Sequence, residues 1–289
     1  MDACLSTLFR CLSLLVLSTL LLVGCNRMDL AYRNLDVLVP WSLSDYLSMN
    51  RQQKGWLDER LKAHLAWHCR TQLPGYLTWL GDIRQMVAHN EVTDAQLRLR
   101  TEQAKQAIAE VADQIMPSAT QLLRGMDDEQ VSDMREAFAE DIREREAKYV
   151  KTPLARQIEQ RQQRMEKRLT PWLGELNPQQ RLRVAQWSQA LGEQNRQWIA
   201  NRAHWQAQFS AAMEQRRSEA FEPRLEQLLK QRESLWTPEY RMAYQRTEQE
   251  ARSLLVDLMA QSSEQQRQHL QGRLAKVQQD FSKLKCLQS

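Results

Sequence analysis

The chain has 289 residues, with 40 Lys and Arg against 36 Asp and Glu, for a net charge of +4. A balance this slight, spread along the whole length, supplies no dense basic patch for a phosphate backbone and excludes a nucleic-acid binder. Only 8 Gly and 8 Pro occur, mean hydropathy is −0.65, and Gln, Arg, Leu, Ala and Glu dominate, so the composition is that of amphipathic helices with narrow apolar stripes.

The first 24 residues read as a secretory signal. Arg10 is followed by a thirteen-residue apolar run, Cys11–Val23, and then by polar sequence. A membrane span needs ~20 apolar residues, so the run is too short to stay in a bilayer. Leu22-Val23-Gly24-Cys25 resembles the bacterial lipobox. The small residue before Cys lets a peptidase approach the backbone, and the Cys25 thiol receives the lipid. Several acyl chains, at ~0.8 kcal/mol per buried methylene, make a stable anchor. Asn26 follows where enterobacterial lipoproteins held in the inner membrane tend to carry Asp, so by that rule it points to the outer membrane, periplasmic face. Residues 25–42 form a lipidated N-terminus and short tether, and 43–289 a helical periplasmic domain.

The periplasm is oxidising. Cys4 and Cys11 leave with the signal and Cys25 is acylated, so Cys69 and Cys286 remain as a candidate disulfide. The alternative is two unpaired thiols.

The elements run as follows. A first helix covers about 43–71 and ends at Leu73-Pro74-Gly75; a second covers about 75–89. A third spans about 94–122, with Pro117 kinking its end. A fourth runs about 128–168, kinked or broken at Pro153, and a short turn holds Trp172. A fifth starts at Pro178 and runs toward Arg217, ~60 Å of helix; Pro223 breaks it before Leu225–Leu235. A sixth covers about 238–260 and a seventh about 263–284. The expected fold is all-α, an elongated bundle of about seven helices, two or more of them long and kinked.

Helix starts share one pattern. Thr93 with Gln96, Asp127 with Gln130, Asn177 with Gln180 and Ser262 with Gln265 each place a capping residue three before a Gln. In such a box the first side chain accepts the amide of the third helical residue, and the Gln reaches back to the cap's own amide. Asn177 adds Pro at the first helical position, where a missing N–H costs nothing.

Chemistry-bearing clusters are few. His64 and His68 lie four apart on the first helix and are weak candidates for a shared metal; as ordinary half-buried residues beside Trp67 they need none. The segment from Trp67-His68-Cys69-Arg70 to Leu73-Pro74-Gly75-Tyr76 is the densest in rings. Such a corner is either a site or a packed helix junction whose ring donors find backbone partners. The pattern holds no nucleophile–base pair and no Gly-rich phosphate loop, so the reading is non-enzymatic, with no cofactor.

Two resemblances follow. The box at Leu176-Asn177-Pro178-Gln179-Gln180 resembles the LTxxQ motif of the periplasmic Spy/CpxP family, small all-helical, ATP-independent chaperones and stress regulators. The Thr of that motif is replaced by Asp127, Asn177 and Ser262 in three of the four boxes, and this chain is about twice as long. The mature chain as a whole is similar to uncharacterised helical lipoproteins of Gram-negative bacteria. The lipobox, the tether NRMDLAYRNLDVLVPW and the corner WHCRTQLPGY carry that likeness. The resemblances imply a membrane contact through the lipid and binding of unfolded or envelope proteins, or one fixed envelope partner for a structural or assembly role.

Overall fold

The computed structural model describes Tyr32 and residues 34–287. The signal, Cys25 and Asn26 lie outside the described residues. Eleven α-helices follow one another: α1 Leu35–Ser44, α2 Arg51–Thr71, α3 Leu73–Ala88, α4 Asp94–Arg124, α5 Asp128–Tyr149, α6 Leu154–Leu173, α7 Pro178–Ala190, α8 Gln194–Glu214, α9 Phe221–Leu229, α10 Pro238–Ala260 and α11 Glu264–Ser282. Short 3₁₀ turns occupy Arg232–Leu235 and Lys285–Leu287. The described residues contain no strand. The fold is all-α, as expected, but the count of about seven is corrected to eleven among the described residues.

Each extra helix comes from a break with a local cause. The segment expected as a tether up to residue 42 is helical from Leu35, as α1, and the expected first helix starts later, at Arg51, where Asn50 adopts an extended conformation (φ −73°, ψ 174°) and caps α2. The expected fourth divides into α5 and α6 at Pro153, itself extended. The expected fifth divides into α7 and α8, of 13 and 21 residues, or ~20 and ~32 Å, in place of one ~60 Å rod. Gly192 lies between them at φ +49°, a left-handed conformation that no helix can run through. Arg161 of α6 closes that end of α7. Its buried guanidinium donates to the carbonyls of Ser188 (2.8 Å) and Gly192 (3.0 Å), which the helix leaves without partners. Trp172 belongs to no turn: α6 carries Pro171 in its last turn and stops at Gly174, φ +76°. Pro117 lies inside α4, which runs on to Arg124.

The apolar stripes converge on three cores. The largest gathers Met126, Met134, Met213, Phe221 and Leu225 from the α4–α5 junction, α5, α8 and α9, each at most 1% exposed. A second gathers Val184, Leu254, Leu258 and Leu274 from α7, α10 and α11. A small third holds Cys69, Leu73 and Leu284. Helix α5 packs along α8, and α11 returns along α3, so the last helix lies beside an early one.

One polar junction ties α5 to α8 inside the largest core. The Asp141 carboxylate accepts from Tyr46 Oη (3.0 Å), Arg145 Nε (2.8 Å), Arg202 Nε (2.5 Å) and Gln206 Nε2 (3.2 Å). Burial pushes this carboxyl up, but the bonds from Arg202, Tyr46 and Arg145 outweigh it and hold the group below the ordinary aspartate value. A carboxyl depressed in the folded state stabilises the fold at neutral pH. That contribution starts to fade as pH falls through about 4 and is gone below the depressed value. The expected result is that Asp141→Asn costs roughly 2 kcal/mol at pH 7, less than a fully buried pair because both arginines keep 29% of their side-chain surface in water. The difference from wild type should shrink as urea midpoints are followed down to pH 3.

Candidate functional site

The capping boxes join to each other. Three form as expected at the cap: Thr93 Oγ1 accepts from Gln96 N (3.3 Å), Asp127 from Gln130 N (2.9 Å) and Asn177 from Gln180 N (2.9 Å). The return bond from the Gln forms in the Asp127 and Asn177 boxes and is not among the bonds at Thr93. The fourth box is shifted by one residue. Ser262 is buried and donates to Leu258 O (2.6 Å) in the last turn of α10, so Ser263, in extended conformation, caps α11 with Gln266 as its partner. Gln265 is not its partner. A further complete box, Asn50 with Gln53, starts α2.

The complete boxes meet in pairs. Gln53 and Gln130 exchange amide bonds of 3.1 and 2.7 Å. Gln180 and Gln266 do the same at 3.3 and 2.9 Å. Each Gln also reaches across to the partner's approach: Gln53 donates to Gly125 O (3.0 Å), Gln130 to Ser48 O (2.7 Å) and Gln266 to Glu175 O (2.9 Å). Two helix N-termini are thus tied head to head, once in each half of the molecule. The glutamine carbonyls supply acceptors where both helix dipoles present N–H groups.

The ring-rich corner at the α2–α3 junction is a clasp. Cys69 and Cys286 are disulfide-bonded, with Cα atoms 6.2 Å apart across a sequence separation of 217. Beside Cys69 in the chain, His68 lies between two phenols: Tyr32 Oη is 3.0 Å from Nδ1 and Tyr76 Oη 3.2 Å from Nε2. Burial pushes the imidazole below the ordinary histidine value, Tyr32 up to about 12 and Tyr76 upward. All three are therefore neutral at pH 7. A neutral imidazole has one N–H and one lone pair, so one phenol accepts and the other donates. His64 faces elsewhere, with Nε2 2.9 Å from Ser118 Oγ. The two rings, weak candidates for a shared metal, have separate partners. Among the described residues no three His, Cys, Asp or Glu side chains gather as a metal site.

The corner opens onto a groove that no motif marks. Helices α3 and α4 diverge around a 700 Å³ cleft lined by Gly75, Tyr76, Trp79, Ala104, Ala107 and Ile108, with Phe281 of α11 at one end. A Cβ on Gly75 would meet nothing, so this wall is open. Ile108 is 59% exposed. Polar ties fix the two walls: Trp79 Nε1 donates to Arg100 O (3.0 Å), Arg100 pairs with Asp82, and Gln72 Nε2 donates to Glu110 (3.2 Å). The signal in the sequence is Ile108, an apolar residue on a helix whose first two turns bury nothing.

The class these features define is an all-α protein built from capped amphipathic helices tied at their ends. A profile of the family of unknown function DUF6279 matches residues 45–241, which take in α2 to α9, and the chain belongs to that family. No curated protein and no solved structure matches.

Proposed function

We propose that this chain is a lipoprotein, anchored through Cys25 in the outer membrane and facing the periplasm, whose helical body binds other proteins and catalyses no reaction. The observation that carries the binding role is the α3–α4 groove, an apolar cleft of 700 Å³ with Ile108 held out in water. Exposed apolar surface flanked by polar residues is the usual mark of a protein-binding face. The anchor rests on the lipobox alone. Among the described residues no helix is long and apolar enough to cross a membrane.

In its more specific form, the body acts as a Spy-like chaperone or stress adaptor for unfolded envelope proteins. The boxes that resemble the LTxxQ motif support it, since they rigidify the helix pairs that would hold such a cradle. The second reading is one fixed envelope partner, favoured by the polar ties that set the width of the groove.

Placing a photo-crosslinking amino acid at Ile108 in cells tests both. A smear of adducts is expected for a chaperone and one dominant band for a fixed partner. Ile108→Asp, at an exposed position where substitutions stay within about 0.5 kcal/mol, should abolish the adducts or the suppression of client aggregation. No adducts at Ile108, together with no suppression at stoichiometric ratio, would sink the proposal.

A further inference from the structure

We propose that a second site, distinct from the α3–α4 groove, binds the acyl chain and carboxylate of a long-chain fatty acid inside the largest core.

The site is a 450 Å³ cavity between α1, α2, α4, α5 and α8. The cavity is open to solvent on one side, and its volume is many times the ~30 Å³ share of one water. It falls within the ~300–1,000 Å³ of small-molecule sites. Most of its walls are apolar, among them Leu43, Leu57, Ile115, Leu122, Trp205 and Phe209, and its polar members include Arg60, His64, Ser118 and Arg202. The apolar stretch suits a hydrocarbon chain.

The polar wall groups fall into two sets. Arg202 is spoken for, bonded to Asp141 and, through Nη2, to Tyr46 Oη (3.1 Å). Arg60 and His64, one turn apart on α2, are not. Arg60 lies over the Trp56 ring, 5.5 Å from its centroid, and makes no ion pair among the described residues. His64 Nε2 faces Ser118 Oγ, and its Nδ1 is out of water without a hydrogen-bond partner. If the Ser118 hydroxyl donates to Nε2, then Nδ1 carries the proton and is a donor that lacks an acceptor. A carboxylate supplies that acceptor and pairs with the guanidinium in a charge-assisted bond. One exposed cation without an ion pair, one unpaired ring nitrogen and an apolar cavity that both line fit an anion with a single hydrocarbon tail.

The test uses the full mature chain and dibromostearate, whose bromines quench nearby indoles. Saturable quenching is expected, competed by palmitate. Ala119→Phe, which projects a ring into the cavity from α4, should abolish it. Arg60→Gln with His64→Gln should weaken palmitate about tenfold and leave the uncharged hexadecanol unchanged. Circular dichroism and thermal melting of each variant keep loss of binding separate from loss of fold. Absence of saturable quenching overturns the site, as does quenching that survives in a folded Ala119→Phe protein. Hexadecanol binding as tightly as palmitate to the wild type overturns the carboxylate assignment. None of these outcomes depends on Ile108, so the groove and the cavity stand or fall separately.

Discussion

Reducing the Cys69–Cys286 bond is expected to lower the stability of the described body more than any single substitution. The bond closes a loop with a sequence separation of 217. Loop-closure entropy assigns a ring of that size roughly 5 kcal/mol, all of it taken from the unfolded ensemble. The native state has little to lose by comparison. Cys69 is 1% exposed and packs with Leu73 and Leu284, contacts that survive reduction. Urea unfolding with and without reductant, repeated on Cys286→Ser, measures the effect. A midpoint that moves by less than its error in both would show that the last turn is held by packing alone.

The second large effect is expected at Gln180, which is fully buried. Its amide accepts from Asn177 N (3.0 Å) and Gln266 Nε2 (2.9 Å) and donates to Leu258 O (3.2 Å). Gln180→Leu keeps the volume and removes every one of these bonds, stranding the part-buried Asn177 N–H, while Leu258 O keeps its bond from Ser262. At ~1–3 kcal/mol for the stranded N–H and ~1 kcal/mol for each other bond lost, the loss should reach about 3 kcal/mol. Adding Gln266→Leu should cost less than its own single effect, by a coupling of about 1–2 kcal/mol. Gln96→Ala offers the contrast, because the Thr93 box lacks the return bond, and should cost no more than about 0.5 kcal/mol. Strict additivity of Gln180 and Gln266 in chemical denaturation would disprove the reciprocal pair.

Composition and capping signals were enough to read the all-α class and the start of most helices, because both depend on neighbours within four residues. Asn177-Pro178 and Thr237-Pro238 announce α7 and α10 without any tertiary contact. The breaks were harder. Gly192 is one glycine in a run of good helix formers, and only its positive φ shows that α7 ends there. The Ser262–Ser263 shift has a similar origin: either serine satisfies the local pattern. Burial of Ser262 under Gln180 decides between them, through a bond of 3.3 Å.

The sites were less legible than the fold. Cys69 and Cys286 were paired by elimination of the other three cysteines. The meeting of boxes was not visible at all, since Gln53 and Gln130 are 77 residues apart and no rule of helix starts says which cap faces which. The groove and the cavity arise where helices diverge. Ile108 and Ile115 look like one stripe, yet they line two different spaces, the α3–α4 groove and the core cavity.

The disulfide has one more consequence, which concerns cutting. A peptide bond hydrolysed anywhere between Cys69 and Cys286 opens a ring and releases nothing, because both pieces stay on one covalent molecule. A protease must therefore cut the ring twice to free a fragment of it.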